Sequence, residues 1–330
     1  MKCINKIRKY VAILLVLVCL MPVVGCGAES YDMAYSRQMP SSAYMVTNSS
    51  FESDTLPAFS GDLCVDSREQ IGMQGVKLEY SYASGLFDLN NKEILYAENI
   101  YEQLAPASIT KIMTALVALK YGNLQDEIVV TENCKITESG ATMFGFKPGD
   151  VITLDQALNV LLINSANDAG LIIAEHIGGT VENFCAMMNA EAQSLGATNT
   201  NFCNPHGLTE ENHYSTVYDL YLIFNEVIQY ERFREIIQLT SYTSVYKDAN
   251  GNQKTIEVKS TNQYFQGNAE VPENITVLGG KTGTTNAAGN CLILYVKDSA
   301  GNPFISVILR ADKRQNLYID MSRLLEAAGK

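Results

Sequence analysis

The chain has 330 residues, 47% apolar and 18% charged, with 24 Lys+Arg against 36 Asp+Glu and a formal net charge of −12. That apolar content fills a sizeable core and excludes wholesale disorder, and the length fits one large domain or two smaller ones. The acidic balance excludes a polyanion such as nucleic acid as partner, which needs a basic face. The eight cysteines form neither a Cys-x-x-Cys pair nor a metal-ligand spacing.

Lys2, Lys6, Arg8 and Lys9 make a basic start, and Val11 to Val24 is almost wholly apolar. As a helix that run spans only about 21 Å, against a hydrocarbon core of about 30 Å. This is the pattern of an export signal rather than a permanent span. Val23-Val24-Gly25-Cys26 resembles a bacterial lipobox, in which the Cys thiol takes a diacylglyceryl group and becomes the mature N-terminus. Such a protein is anchored to the membrane without spanning it. Residues 26–75, rich in Ser, Tyr, Asp, Asn and Met without a sustained period, read as a tether.

From Val76 the pattern sharpens. Leu78 to Leu89 and Ile94 to Tyr96 read as two strands around the Asn90-Asn91 turn. Ser108 to Tyr121 is apolar almost all round and predicts a buried helix. Thr153 caps a helix through Ile163, and Thr180 caps another ending near Gly196. Asp219 to Ile237 is helical in period. Cys291 to Val296 and Phe304 to Leu309 read as strands, and Gln315 to Ala328 as a closing helix. The order predicts an α+β fold, with terminal segments completing one sheet around a helical insert.

Three blocks carry chemistry. Ser108 and Lys111 stand three residues apart, one turn on a helix, so both emerge on one face. Ser108 sits where the helix begins, with free N–H groups and positive potential. Lys111 lies in an otherwise apolar helix, where desolvation strips an ammonium of its proton. A neutral amine beside a hydroxyl is a general base for a nucleophile. The bland alternative is a capping serine and a lysine snorkelling to solvent. The second block is the polar run Asn164 to Asp168 between two apolar stretches, whose buried polar groups need partners. It reads either as a helix–helix turn with an Asp168 cap, or as a cleft with Ser165 relaying a proton and Asn167 holding a substrate amide. The third is Gly279-Gly280-Lys281-Thr282-Gly283-Thr284-Thr285, just before the Cys291 strand. Its glycines admit a ligand close to the backbone, an extended peptide can pair with a strand edge, and Lys281 and Thr282 suit a carboxylate. It lacks the phosphate-loop spacing.

Ser108-x-x-Lys111, Ser165-x-Asn167 and Lys281-Thr282-Gly283, in that order, form the triple set of penicillin-recognising serine enzymes. Pro106 to Ala115, Asn164 to Ala169, Asn204-Pro-His-Gly-Leu208, Asn212-His-Tyr-Ser-Thr216 and Gly279 to Gly283 together resemble D-alanyl-D-alanine carboxypeptidases, the low-molecular-weight penicillin-binding proteins of peptidase family S11. The resemblance runs from about Leu78 to Ala328. It implies a β-lactamase/transpeptidase-like fold: an antiparallel sheet flanked by helices, with a mainly helical insert. It implies that Ser108 attacks the peptide bond between two D-alanines of a peptidoglycan stem peptide and that Lys111 takes its proton. Ser165 and Asn167 then assist proton transfer and amide binding, Lys281 and Thr282 engage the terminal carboxylate, Gly283 and Thr284 also contact substrate, and the N–H groups of Ser108 and Thr284 form the oxyanion hole. β-Lactam antibiotics enter the same cycle as covalent inhibitors, and no metal or other cofactor is implied. Ala166 stands where many relatives have Gly. The chain stops soon after the closing helix, whereas many relatives continue into a second domain and a membrane helix, and the Cys26 lipid is expected to serve in place of that anchor.

The expected organisation is a lipoprotein signal peptide over 1–25, a tether over 26–75 and a catalytic domain over 76–330, held at the outer face of the cytoplasmic membrane. His176, His206 and His213 form no metal motif, and the last two shape a loop near the insert. Met187-Met188 belongs to a helix core, and most of the remaining cysteines are small buried residues. A β-lactamase shares the three blocks, but the Glu-x-x-Leu-Asn element of class A enzymes is missing between Asn167 and Lys281. A non-catalytic wall-binding lipoprotein is the other alternative, and the intact blocks argue against it. Cys26→Ser is expected to release the protein from membranes on fractionation. Retention of the variant in the membrane fraction would dispose of the lipid anchor.

Overall fold

Nine strands and eight helices are described over residues 61–138 and 140–328 in a computed structural model. The expected signal peptide, Cys26 and most of the expected tether lie outside the described residues. No described helix is long and apolar enough to cross a membrane.

The principal sheet is antiparallel and five-stranded, in the order β2-β1-β9-β8-β7. β1 (Ala83–Asp88) and β2 (Glu93–Glu98) form the expected hairpin. In its turn, one Asp88 carboxylate oxygen accepts the N–H groups of Asn90 (2.8 Å) and Asn91 (2.9 Å). β1 then pairs with β9 (Pro303–Ala311), and β8 (Gly289–Asp298) lies between β9 and β7 (Ile275–Thr285). Chain-terminal segments thus complete one sheet, as the order of elements predicts. The first strand begins at Ala83 rather than Leu78 because the buried Asp320 carboxylate takes the N–H groups of Glu79, Tyr80 and Ser81 out of any ladder.

Both faces of this sheet are covered, which explains why β8 reads as an unbroken apolar run. Leu292, Leu294 and Val296 face the closing helix, packing with its Leu317, Met321, Leu324 and Leu325. Ile293 and Val307 face the opposite way, toward the helical insert. On that side Phe87 of β1 stacks on Tyr221 with ring centroids 4.1 Å apart. Opposite side chains of one strand serve two cores.

The insert carries α1 (Lys111–Tyr121), α2 (Leu154–Asn159), α3 (Asn167–Gly178), α4 (Val181–Ser194), α5 (Val217–Val227) and α6 (Glu231–Ile237). Thr153 closes a capping box with Gln156, and Thr180 caps α4 through the Asn183 N–H. The expected helix from Asp219 to Ile237 is two helices: Thr216 caps the first, and Tyr230 (φ −78°, ψ 116°) breaks the run. The insert is also less purely helical than expected. It holds a second antiparallel sheet, β3-β4-β5-β6, of β3 (Glu127–Val129), β4 (Val151–Thr153), β5 (Ser241–Lys247) and β6 (Gln253–Lys259). In β6 only Ile256 and Val258 are buried, too weak an apolar period to announce a strand. After β6 come α7 (Gln263–Gln266), β7 to β9 and the closing helix α8 (Arg314–Ala328).

The end of the expected tether, residues 61–75, is part of the domain. Cys64 is fully buried, its N–H donates to the Tyr221 hydroxyl (2.8 Å), and Ile71 exchanges both backbone hydrogen bonds with Ala97. The polar composition misled because this segment docks mainly through its backbone. All five thiols of the described residues are free. Cys64, Cys134, Cys185 and Cys291 are buried, and burial pushes Cys291 up to about 12.

Candidate active site

Ser108 lies in a tight helical turn, Ala107–Thr110, that leads directly into α1. Ala107 opens this turn with φ 49°, a left-handed conformation rare for a residue with a side chain. Ser108 remains partly exposed, whereas Lys111 is completely buried. Ser108 Oγ and Lys111 Nζ are 2.9 Å apart. The amine also donates to Asn167 Oδ1 and to the His206 carbonyl, each at 2.6 Å. Neither Lys111 nor Lys281 joins an ion pair among the described residues. Desolvation first, and then the neighbouring Lys281 charge, hold Lys111 well below the ordinary lysine value, with Asp168 opposing weakly.

The second block follows α2, which runs on into a π-helical turn, Val160–Asn164, that ends on Ser165 in the left-handed conformation (φ 65°). This wide turn sets the Ser165 hydroxyl on the cleft wall, while Asn167, buried, starts α3 and gives its amide oxygen to Lys111. Asn167 thus holds the lysine, whereas the sequence suggested a role on substrate. Asp168 does more than cap: its carboxylate accepts the N–H groups of Phe144 (3.0 Å), Gly145 (2.8 Å) and Phe146 (3.2 Å). With the Asn167 N–H on the Thr142 carbonyl (2.8 Å), it ties the 142–146 loop to the head of α3.

The third block is not a loop before a strand. It is the end of β7, the outermost strand of the principal sheet, with Thr282 opposite Leu292 and Thr284 opposite Asn290. A Cβ on Gly283 would stand 3.0 Å from both the Pro106 carbonyl oxygen and the Ser108 nitrogen, so only hydrogen lets β7 lie this close to the Ser108 turn. Lys281 is 1% exposed, and its amine donates to Ser165 Oγ (2.8 Å) and the Thr282 carbonyl (2.9 Å). Desolvation lowers it to about 7. Lys281 therefore stands behind Ser165 rather than in the open cleft.

The cleft, of about 260 Å3, is lined by Ser108, Ser165, Thr261, Thr282, Thr284 and Arg314, among others. All three sequence blocks meet there. Several lining residues escaped sequence reasoning, Thr261 and Arg314 among them. Thr261 precedes α7, and its hydroxyl lies 2.6 Å from that of Thr282. Arg314, exposed, is the first residue of α8. One signal did point to it: a cation opposes the dipole at a helix N-terminus, so Arg at that position asks for another reason. No group of three His, Cys, Asp or Glu is placed to hold a metal among the described residues.

Residues 80–313 match the family model of peptidase S11, D-alanyl-D-alanine carboxypeptidase. The chain belongs to this family. D-alanyl-D-alanine carboxypeptidase DacF of Bacillus subtilis (strain 168) is 33% identical over 250 residues, 74% of this chain and 60% of the relative. A D-alanyl-D-alanine endopeptidase of Escherichia coli (strain K12) is 29% identical over 239 residues, 72% of this chain and 74% of that one. The chain spans about 60% of the length of three of the curated relatives it matches. Among solved structures, a D-alanyl-D-alanine carboxypeptidase from Mycobacterium tuberculosis H37Rv superposes with a TM-score of 0.69 at 26% identity, covering 79% of this chain and 95% of that one. The Streptomyces K15 DD-transpeptidase shares the fold, with a TM-score of 0.71 at 24% identity over 76% of this chain and 98% of that one. The fold is thus the α+β transpeptidase fold that the sequence suggested.

In this S11 peptidase the Asn204–Leu208 loop braces the Ser108 turn. Asn204 Oδ1 accepts the Gly207 N–H (2.7 Å), and the Pro205 carbonyl accepts the Thr114 hydroxyl (2.6 Å), which aims the His206 carbonyl at Lys111. Gly207 has φ 85°, and a Cβ there would fall 1.9 Å from the Ala107 carbonyl oxygen. Gly207→Ala must push the loop off the turn, and a loss of about 2 kcal/mol or more in folding stability is expected. Urea unfolding checks this, and a native-like midpoint would mean that the close approach is not a constraint.

Proposed function

We propose that this chain is an exported serine D-alanyl-D-alanine carboxypeptidase that removes the terminal D-alanine from peptidoglycan stem peptides. The observation that carries the reading is the hydrogen-bond inventory of Lys111. A neutral amine has two N–H groups and one lone pair. The Asn167 and His206 carbonyls can only accept, so they claim the two N–H groups, and the lone pair is left for the Ser108 hydroxyl 2.9 Å away. Burial favours this neutral form.

Ser108 Oγ attacks the carbonyl carbon of the terminal peptide bond while Lys111 takes its proton. The tetrahedral oxyanion is met by the Ser108 and Thr284 N–H groups. The C–N bond then breaks, its nitrogen taking a proton through the Lys111, Ser165 and Lys281 group, and D-alanine leaves as a free amine. Water enters, is deprotonated by the same base and cleaves the acyl ester, restoring the Ser108 hydroxyl. A β-lactam is attacked in the same way, but its amine stays tethered to the acyl group and blocks that water. Chemistry in this site runs on side-chain and backbone groups of the chain itself. Anchoring by lipid on Cys26 would hold the domain at the outer membrane face, beside its substrate.

Lys281 sits behind Ser165, so the terminal carboxylate is assigned to Thr282 and to Arg314 across the cleft. Arg314→Gln is expected to raise KM about tenfold or more while kcat changes little. An unchanged KM would remove Arg314 from substrate binding.

Release of D-alanine from an acyl-D-Ala-D-Ala peptide, compared between native protein and Ser108→Ala, tests the function directly. The variant is expected to lose about 10^3-fold or more. Equal release by both proteins, or release by neither, would overturn the proposal.

A further inference from the structure

Behind the reactive turn stand two buried histidines, and the proposed reaction uses the side chain of neither. His213 is the more telling. Its Nδ1 accepts the Cys203 N–H at 3.1 Å, so that nitrogen carries no proton. The neutral ring therefore keeps its hydrogen on Nε2 and donates it to Thr110 Oγ1, 2.8 Å away. Desolvation lowers this imidazole to about 4, so the arrangement persists through the neutral range. Phe202 packs edge-on against the ring, with centroids 5.8 Å apart at 66°. The ring is fixed in tautomer by a backbone donor and in orientation by an aromatic neighbour.

Thr110 is fully buried and stands between Ser108 and Lys111 in the chain. The turn it closes begins on the left-handed Ala107, and a strained backbone persists only where its surroundings hold it. Two contacts hold this one. Gly207 presses on the Ala107 carbonyl at the start of the turn, and His213 grips the Thr110 hydroxyl at its end. Between them lie the hydroxyl and the amine whose separation decides proton transfer.

The structure assigns His213 as a positioning residue for the Ser108–Lys111 pair, acting through its hydrogen bond to Thr110 Oγ1. This rests on Ser108 and Lys111 being nucleophile and base. A histidine serving only as core filling would be replaceable by a ring of similar size at a cost in stability alone. His213 instead spends its single N–H on the residue that links the two reactive side chains.

The test uses the full chain and reads the rate of Ser108 acylation by a fluorescent penicillin, with D-alanine release alongside. His213→Phe keeps the ring and loses the donor, His213→Gln offers an amide N–H near the Nε2 position, and Thr110→Val removes the acceptor. His213→Phe and Thr110→Val are each expected to slow acylation about tenfold or more, since small misplacements of reacting groups are that costly. The double variant is expected to be no slower than either single one, because both delete one interaction. His213→Gln is expected to recover most of the rate. In D-alanine release kcat falls and KM holds, because Thr282 and Arg314 are untouched. The acid limb of the rate moves to higher pH as water reaches Lys111, which is faced by Ser108, Asn167, the His206 carbonyl and the charges of Lys281 and Asp168. The assignment is overturned if His213→Phe acylates within about twofold of the native protein, or if the two single losses multiply in the double variant. If His213→Phe fails to fold by circular dichroism, Thr110→Val against Thr110→Ser carries the test: serine, which keeps the hydroxyl, must be the faster. Equal rates overturn the assignment. Failure of the native chain to be acylated at all counts against the functional reading instead.

Discussion

The Lys111 amine lies in the fully buried interior with three uncharged oxygens around it and no carboxylate in contact. An ammonium in that position forfeits its hydration without an ion pair to offset the loss, so burial lowers its pKa and favours the neutral amine. Everything else in the site follows from keeping that amine both dry and supplied with acceptors. A carboxylate in place of the Asn167 amide would restore the charge and remove the base. The use of an amide and a backbone carbonyl, both neutral acceptors, is what makes burial productive. A second buried lysine, Lys281, deepens the effect, because its charge disfavours a second one on Lys111.

The three oxygens come from segments far apart in the chain, and this is why the site needs the whole domain. Ser108 arrives on the turn before α1, Asn167 on the head of α3, and the His206 carbonyl on the loop between α4 and α5. The principal sheet contributes chiefly through β7, whose Gly283 nestles against the Ser108 turn, with Cys291 of β8 also on the cleft wall. That sheet is buried on both faces and therefore rigid, so it gives the insert a fixed edge to close against. Asp168 performs the equivalent service on the other side by collecting three N–H groups of the 142–146 loop. The cleft is thus a seam between a rigid sheet edge and an insert whose loops are tied down one hydrogen bond at a time.

Much of this was legible in the sequence. The hairpin, α1, the capped helices and the closing helix all follow from apolar period and cap chemistry, because each buries a long face or begins at a Thr whose hydroxyl caps the first turn. The three blocks pointed to side chains that meet at one cleft because their residue types are chemically odd in an apolar setting. What escaped has a common physical origin. β5 and β6 are half-exposed and polar, so they carry no strand period. Residues 61–75 dock mainly by backbone hydrogen bonds, which leave little trace in composition. The depth of Lys281, the partner of Asn167 and the cleft face of Arg314 depend on which segments pack together, and no local pattern encodes that.

Two non-glycine residues beside the reactive groups, Ala107 and Ser165, hold left-handed backbone conformations, which cost roughly 1–3 kcal/mol each when nothing compensates. Both sit where a helix must deliver a hydroxyl to the cleft instead of burying it: Ala107 immediately before Ser108, and Ser165 itself at the end of a π-widened turn. A relaxed helix would carry either hydroxyl round to its own carbonyls, where serine side chains bond readily. The left-handed residue breaks that option and leaves the hydroxyl facing a lysine. Backbone strain and lysine desolvation are therefore two halves of one arrangement. The strain withholds from each serine its easiest partner, and the buried amine offers the replacement. The neighbouring loops, Asn204–Leu208 above all, supply the packing and hydrogen bonds that make the combination the lowest state of the folded chain.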